Sequence, residues 1–559
     1  MKNIHHIKYF ICAFAAILIM PGCKKSFLER PPTDAVVDAN FYKTDEQVLA
    51  ATDLLYSKVW FDYNDKASYN LGDFRSGTAY SAYNDRGNVL FNTTDLTPEN
   101  GAAWRSFFIV VGQSNLAITN INRYATAAVS PTVKKMAIAE ARYMRALAYR
   151  YLAMNWGEVP IIEDNLALLN DPTSVHKNTS KSIWRFITRE MRAVAADLPE
   201  TGIQPGRLTK WSAEGMLARF YLTRAGVESN GGTRNQVFLD SAKYYAERVI
   251  TSSGRRLLTN YADLFKFPYD NNAESLFELQ WVFLPGDPGY GVGNSTPSYL
   301  NYSPDISVEG WGGDKGATWW MLSQYDGIVA KGNDTLLGRT LDQRLKASYM
   351  LPGASYPEIT QTTNGVTQKL IFPYVNGDVN FASIKKYVVG KAVDLGIPVE
   401  PQRYPNNTYM QRLAEMYLIY AEAALGNNAS TSDAVILDHF NKVHMRSGLP
   451  QRVDPLTLDD ILKERFIEFA MEGMGWYDLV SLHYYNPNKA YAILNSQDRG
   501  LFKVAPDVFP NPTMWTFIKT PWATTDRKIN ANSGNFLLPI PAAEKSQAPN
   551  LALPAVDYP

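Results

Sequence analysis

The most regular hydrophobic pattern in the chain lies between Val133 and Ile162. Side chains that recur at spacings of three and four residues share one helix face, and the first such row is Met136, Glu140, Met144, Leu147, Tyr151 and Met154. A second, mostly small row consists of Ala137, Ala141, Arg145, Ala148 and Leu152. Small side chains let a neighbouring helix approach closely, whereas large ones fill its grooves. The pattern predicts one long helix with partners on two sides, ended by Gly157 and Pro160.

Helical spacing continues in other parts of the chain. Further helices are predicted over residues 104–124, 183–198, 211–222 and 237–250, and again from Tyr409 onward. Helices of roughly 15 to 20 residues in antiparallel pairs are typical of tetratricopeptide-like packing, although no sequence period of about 34 residues is sustained. The predicted fold class is therefore mainly α, with tetratricopeptide-like helix pairs forming a scaffold.

Two stretches lack the helical spacing. Residues 64–98 are polar and turn-rich, and residues 265–405 are dominated by Gly, Pro, Asn and aromatic residues. Alternating runs at 275–283 and 385–389 predict a few short strands in the second stretch. Long irregular segments in a compact protein are more often functional or mobile than idle. We therefore expect both stretches to be loop-rich and look there for binding residues.

The composition excludes only a few classes of function. The chain has 559 residues with 55 Lys plus Arg and 55 Asp plus Glu, so its formal net charge is zero. A balanced charge gives no electrostatic footprint for nucleic acid or another polyanion. Aromatic residues make up 13 % of the chain, which suits either a large core or a surface that stacks on flat ligands.

The N-terminus predicts export and lipidation. Lys2 and Lys8 accompany an apolar run of secretory-signal length, too short for a spanning helix of about 20 residues. The run leads into Ile19-Met20-Pro21-Gly22-Cys23, which resembles a bacterial lipobox and predicts a signal peptide over residues 1–22 with Cys23 as the lipidated first mature residue. The alternative is an ordinary signal peptide followed by a chance cysteine. The only other cysteine, Cys12, lies within the signal, so Cys23 has no disulfide partner in the mature chain.

Several segments resemble one known family. In chain order they are Ser26–Thr33, Glu140–Tyr149 with Trp156–Pro160, Asp342–Leu345, Ile384–Tyr387, Arg412–Ala423, Asn441–Leu449, Glu464–Leu479 and Leu538–Asn550. The segment RLAEMYLIYAEA at Arg412–Ala423 differs little from the family's RLAEVYLIYAEA. The chain thus resembles the SusD/RagB-like proteins, which are nutrient-binding outer-membrane lipoproteins of the Bacteroidetes. Gly475 and Ser481 stand where the family pattern has arginines, which argues against part of a local ion-pair network but not against the fold.

The resemblance implies a division of the mature chain into three parts. Residues 23–264 would form an N-terminal tetratricopeptide-like part with an early binding loop. Residues 265–405 would be an irregular, aromatic-rich part, and residues 406–559 would contribute C-terminal helices and a tail that complete the domain.

Catalytic and metal motifs are weak in this sequence. Glu464, Glu468 and Glu472 share a helix face, but a glycosidase needs two carboxyl groups flanking a cleft, usually from different elements. We therefore predict that the three glutamates have a structural role, in which they pair with Arg465 or Arg412 or accept hydrogen bonds from backbone N–H groups at a helix cap. No metal-ligand spacing, phosphate loop or nucleophile elbow occurs, so neither an enzymatic activity nor a cofactor or metal is expected.

The candidate binding residues are aromatic and polar side chains in the two irregular stretches. Exposed Trp and Tyr between polar residues suit a face that stacks on sugar rings and hydrogen-bonds their hydroxyl groups. The resemblance implies that the glycan site draws on these same two stretches. The predicted ligand-binding residues are Asp73, Arg75, Tyr83, Trp281, Tyr290, Trp311, Trp319 and Trp320. Each aromatic residue is equally open to a place in the core, and one of Trp319 and Trp320 is expected there.

These observations favour a lipid-anchored protein at the outer-membrane surface that binds nutrient, most simply an oligosaccharide. The resemblance implies that it passes the ligand to a SusC-like TonB-dependent barrel. Three alternatives stay open: a peptide-binding member of the same family, a surface glycoside hydrolase, and a helical-repeat adaptor. The long aromatic-rich stretch disfavours the adaptor, and the absence of a clefted carboxylate pair disfavours the hydrolase.

Replacing Cys23 by Ala should release the protein from the membrane fraction, because acyl chains anchor it through about 0.8 kcal/mol per buried CH₂ group. Fractionation of cells that express either form measures this release. Unchanged membrane retention of the Ala variant would contradict lipidation at Cys23.

Overall fold

The computed structural model describes residues 41–83, 85–286, 291–363, 365–373, 382–520 and 527–559. The predicted signal peptide, Cys23 and Tyr290 lie outside the described residues. The N-terminal helices are α1 (Asp45–Asp53), α2 (Arg86–Leu90), α3 (Pro98–Tyr124), α4 (Pro131–Trp156), α5 (Asn165–Asn170), α6 (Ser180–Asp197), α7 (Lys210–Val227) and α8 (Gln236–Ser252). Four short helices follow: α9 (Thr296–Leu300), α10 (Trp319–Ser323), α11 (Arg344–Ser348) and α12 (Ala392–Leu395). The C-terminal helices are α13 (Leu413–Leu425), α14 (Ala434–Arg446), α15 (Leu458–Glu468), α16 (Gly475–His483), α17 (Pro487–Ser496) and α18 (Ala542–Gln547).

Helix α4 is the centre of the helical scaffold, as its two hydrophobic rows predict. The side chain of Ser130 caps it by accepting a hydrogen bond from the Val133 N–H, and Gly157 ends it with a φ of 76°. Every residue from Tyr143 to Trp156 is buried, because α3 packs on one side and α6 on another. No helix of the described ranges is both long enough and apolar enough to cross a membrane.

The other long helices extend this packing in one row. Helix α6 packs on α7, α7 on α8, α8 on α13, and α13 on both α14 and α15. The facing side chains of α6, α7, α8, α13 and α15 form one large hydrophobic cluster with α4, whereas α14 packs in a separate cluster with α13 and α15. The mainly α prediction with tetratricopeptide-like pairing is confirmed.

Short strands form small sheets beside the helices. The strands are β1 (Ala79–Ser81), β2 (Ser275–Leu279), β3 (Lys315–Ala317), β4 (Ile328–Ala330), β5 (Thr335–Gly338), β6 (Tyr349–Met350), β7 (Ser355–Thr363), β8 (Val366–Ile371), β9 (Ser383–Ile384), β10 (Thr408–Arg412), β11 (Ser430–Thr431), β12 (Leu456–Thr457), β13 (Phe502–Pro506) and β14 (Trp515–Lys519). The sheet orders are β1-β3-β9-β6, β13-β14-β5-β4, β10-β2, β11-β12 and β7-β8, all antiparallel. The strand predicted at 275–283 is observed as β2, whereas the one predicted at 385–389 is displaced to β9.

The early stretch at residues 64–98 differs most from its prediction as a loop. Two π-helical turns occupy Tyr63–Ala67 and Asn70–Phe74, and every residue of the second turn is buried. Tyr69 and Phe74 belong to a second hydrophobic cluster, which also contains residues of β1, β3 and β9. The buried apolar side chains of the stretch are divided between two clusters, because Leu71 and Phe91 pack with the long helices instead.

A network of buried charges joins the helices to the irregular part. Glu468 receives hydrogen bonds from Arg344 of α11, Arg412 of β10 and Arg446 of α14. Burial alone would raise the pKa of Glu468, but these three guanidinium groups hold it well below its usual range.

The other two glutamates are paired as well, although only Glu464 shares the helix with Glu468, because α15 ends at Glu468 and Glu472 lies in the turn that follows. Glu464 pairs with Arg344 and His444, and Glu472 pairs with Arg412 and Lys386. The structural role predicted for the three glutamates is confirmed. The expected partner Arg465 instead pairs with Asp478 and Glu415.

Glu468→Gln should lower the free energy of unfolding by about 3–5 kcal/mol, because it leaves buried arginines without their shared counter-charge. Chemical denaturation at neutral pH measures the loss. The wild-type contribution should be complete above the unfolded-state pKa of about 4.3 and decline as the pH falls below it.

A matched control lies on the same helix. Lys463 pairs with Asp326 at 2.6 Å, but the two side chains are 40 % and 54 % exposed, so Lys463→Gln should cost less than about 1 kcal/mol. Equal losses for the two variants would contradict the assigned role of Glu468.

Candidate functional site

Two exposed aromatic side chains lie at one end of the β1–β3 ladder. Ser81 pairs with Lys315, and the Ala82 N–H then donates to the Asp314 carbonyl at 2.9 Å. This pairing brings the chain at Tyr83 beside the turn that begins at Trp311. Tyr83 is 79 % exposed and Trp311 is 45 % exposed. We call these two residues the aromatic rim.

The backbone at Trp311 is held tightly against α9. The Trp311 N–H donates to the Ser298 carbonyl at 3.2 Å, and the Gly312 N–H donates to the Asn301 carbonyl at 2.7 Å. A Cβ atom on Gly312 would lie 2.1 Å from the Leu300 carbonyl oxygen, so only glycine allows this approach. Trp311 is therefore presented by a fixed backbone, which reduces the entropy lost when a ligand binds.

Tyr299 lies next to the rim and connects it to the π-helical turns. Its ring stacks on Tyr69 with centroids 4.8 Å apart, and the Lys315 ammonium lies 4.2 Å from its centroid. The same ammonium donates to the Trp311 carbonyl at 3.0 Å. The Tyr299 hydroxyl donates to the Asp85 carboxylate, and burial together with this carboxylate raises the pKa of Tyr299.

A cavity of about 330 Å³ opens beside Asp85, and we call it the side cavity. Its polar lining consists of Asp62, Asp65, Lys66, Asn70, Asp85, Asn88, Glu99 and Arg105. Its apolar lining consists of Ala67, Leu71, Pro98, Ala102 and Ala103. Burial raises the pKa of Asp65. Within the described ranges no group of His, Cys, Asp or Glu side chains has the arrangement of a metal site. The lining thus offers hydrogen bonds and apolar contact.

Asp73 is buried, although it was predicted to contact ligand. Its carboxylate accepts hydrogen bonds from the N–H groups of Met471 and Gly473 and from the Thr78 hydroxyl. Burial raises the pKa of Asp73 to about 7 against the effect of these donors. With no exposed atom and three internal partners, Asp73 has no surface for a ligand in this structure.

Arg75, also predicted to contact ligand, is equally enclosed. Its guanidinium lies between the rings of Phe91 and Trp476, at 4.3 and 4.6 Å from their centroids. It donates to the carbonyls of Asn535 and Phe536, at 2.6 Å in each case. Asp73 and Arg75 therefore attach the early segment to the C-terminal part of the chain.

The predicted tryptophans separate into buried and exposed residues. Trp281 is 3 % exposed, and its indole N–H donates to the Thr408 hydroxyl at 3.1 Å. Trp319 is buried against Phe502, whereas Trp320 is half-buried and packs on Phe466. Of the seven predicted binding residues that the structure describes, Tyr83 and Trp311 are the two that lie near each other at an exposed surface.

The residues that sequence reasoning missed line the side cavity. Asp85, Asn70 and Lys66 lie in a stretch whose turns show no helical or strand period. Tyr299 stood among the aromatic residues of the irregular part, but nothing in the sequence connected it with Asp85. Tertiary contacts such as the antiparallel pairing of β1 with β3 and the stacking of Tyr299 on Tyr69 join these two distant segments.

Comparison with known proteins settles the family. Residues 274–552 match the SusD family, and residues 27–222 match a family described as "Starch-binding associating with outer membrane". A SusD-like protein of Bacteroides ovatus is 36 % identical over 563 residues, covering 99 % of this chain and 98 % of the relative. The chain belongs to the SusD family.

Other known proteins are similar at different levels. The starch-binding protein SusD of Bacteroides thetaiotaomicron is 26 % identical over 380 residues, which cover 63 % of this chain and 65 % of that protein. A solved structure with xylogluco-oligosaccharide is 33 % identical, covers 92 % of this chain and 99 % of its own, and superposes with a TM-score of 0.79. The resemblance predicted from the motifs is confirmed.

Trp281→Ala should lower the free energy of unfolding by about 3–5 kcal/mol, because truncating a buried aromatic residue leaves a cavity. Tyr83→Ala, at an exposed position, should leave it unchanged within about 0.5 kcal/mol. Thermal or chemical unfolding of both variants compares them. If Trp281→Ala were as stable as the wild type, the assignment of Trp281 to the core would not hold.

Proposed function

We propose that this SusD-family chain is a surface glycan-binding protein that captures oligosaccharide through the aromatic rim. The observation that carries the proposal is the presentation of Tyr83 and Trp311 on a fixed backbone beside a polar cavity. Aromatic faces with convergent hydrogen-bonding groups suit sugars, which present apolar ring faces and hydroxyl edges. The similar structure with xylogluco-oligosaccharide supports a glycan as the ligand class.

We further propose that the protein is anchored to the outer membrane by acyl chains on Cys23 and faces the cell surface. It would deliver its ligand to a SusC-like TonB-dependent transporter. The support for this part is the lipobox-like sequence and the family description that names association with the outer membrane. The division at residues 23–264, 265–405 and 406–559 likewise remains a proposal.

We propose that the protein binds its ligand and does not cleave it. Glu464, Glu468 and Glu472 are each paired with buried cationic side chains and offer no free carboxylate pair for glycoside hydrolysis. The carboxylates of the side cavity are the candidates for acid–base chemistry that lie beside the rim. The binding experiments should therefore also measure newly formed reducing ends, which glycoside hydrolysis would release. Release that depends on Asp65 would favour the hydrolase alternative.

Tyr83→Ala and Trp311→Ala should each weaken the binding of xylogluco-oligosaccharide about tenfold or more, since a factor of ten corresponds to about 1.4 kcal/mol. That value lies near the roughly 1.5–3 kcal/mol gained by full burial of a large apolar side chain. Calorimetric titration measures the affinity, and unfolding curves verify that stability is unchanged.

Tyr269 provides a matched control, because it is 44 % exposed and is neither a rim residue nor part of the side-cavity lining. Tyr269→Ala should leave the affinity unchanged. If both rim variants bind as tightly as the wild type, the rim is not the binding surface. If peptides bind and glycans do not, the peptide-binding alternative replaces this proposal.

A further inference from the structure

We propose that the side cavity is a subsite for an uncharged side branch of the glycan whose main chain lies on the aromatic rim. This inference rests on the proposed function and adds a chemical class of ligand: branched and neutral oligosaccharides.

The side cavity and the rim are neighbours through direct contacts. Lys315 bonds the Trp311 carbonyl at 3.0 Å and lies 4.2 Å from the Tyr299 ring centroid. The Tyr299 hydroxyl in turn bonds Asp85, which lines the cavity. Asp85 is also close to the other rim residue in sequence, since it follows Tyr83 by two positions. These contacts place Asp85 of the cavity lining beside the rim, and this is the basis for assigning a substituent of the stacked ligand to the cavity.

The cavity lining contains a buried polar side chain with an unsatisfied hydrogen-bond acceptor. Asn70 lines it, is only 3 % exposed, and its Oδ1 atom has no hydrogen-bond partner in the described part of the chain. Buried acceptors are almost always satisfied in proteins, and a sugar hydroxyl donates the missing hydrogen bond. The volume of about 330 Å³ lies at the lower end of the range of small-molecule sites, about 300–1,000 Å³. The cavity is thus large enough for a branch but not for the main chain.

The charges of the lining select against anionic sugars. Four carboxylates, from Asp62, Asp65, Asp85 and Glu99, face two basic side chains. Carboxylates accept hydrogen bonds from hydroxyl groups, whereas a uronic acid or a sulfate would meet like charge in a partly enclosed space. An amine would be attracted instead, so a cationic peptide side chain is the rival occupant.

The test compares branched and unbranched ligands of equal main-chain length. Xylogluco-oligosaccharide carries xylosyl branches on the β-1,4-glucan chain of cello-oligosaccharide, and galactosylated and plain manno-oligosaccharides form a second pair. Wild-type protein should bind the branched member of at least one pair about tenfold more tightly. An oligoglucuronide should bind at least about tenfold more weakly than the neutral branched ligand, and Asp62→Asn should narrow that difference.

A cavity-filling variant separates the subsite from the rim. Ala102 is exposed on α3 and lines the cavity, so Ala102→Trp should remove the preference for branches while the affinity for unbranched ligand stays within about twofold of wild type. The control Thr119→Trp, at another exposed position about five turns further along α3, should keep the preference. Asn70→Ala should weaken only the branched ligand.

Each remaining result overturns the inference in a distinguishable way. If Ala102→Trp leaves the branch preference intact, or if wild-type protein shows no such preference, the subsite is wrong while rim binding stands. If no glycan of either pair binds, the proposed function fails together with the subsite. If a lysine-containing hexapeptide binds and Ala102→Trp abolishes its binding, the cavity accepts a cation rather than a sugar branch.

Discussion

The buried carboxylate of Glu468 is the interaction on which the arrangement of the chain depends. It collects three arginines from α11, β10 and α14, two of which also hold Glu274. The groups come from segments far apart in sequence, and none of them can leave the others without exposing an unpaired charge to the interior. The network therefore fixes how the irregular part docks on the helices. A purely apolar contact of the same size would tolerate sliding, since it has no directional preference.

A second attachment lies between the early segment and the C-terminal part. Asp73 bonds the backbone of Met471 and Gly473, and Arg499 donates to the carbonyls of Phe74, Arg75 and Val89. These bonds fix the segment that precedes β1, the strand that leads to Tyr83. The rim is thus attached to the scaffold on the side of Tyr83 by buried polar bonds and on the side of Trp311 by α9. Such preorganisation lowers the cost of binding without adding a contact to the ligand.

The sequence predicted the fold better than the site, for a physical reason. Helical periodicity is a local property, so α4 and its row of partners could be read from spacing alone. Exposure of an aromatic residue is decided by distant neighbours. Trp281 is covered by Thr408, whereas Trp311 has no such cover, and both stand in similar glycine-rich surroundings. Asp73 looked like a loop residue because its partners lie about four hundred positions away.

The separation of rim side chains from the core has a consequence for how such a protein changes over generations. On the proposed function, substitutions at Tyr83 or Trp311 would alter ligand recognition without opening a cavity or leaving a buried charge unpaired. Gly312 cannot vary in the same way, because any side chain there would collide with the Leu300 carbonyl. On the proposed function, ligand preference can therefore change through a few surface substitutions, whereas a side chain at Gly312 would disturb the backbone beneath them. On the proposed function, the residues that determine ligand specificity differ from those that determine stability. Homologues can therefore come to bind other sugars without loss of the fold.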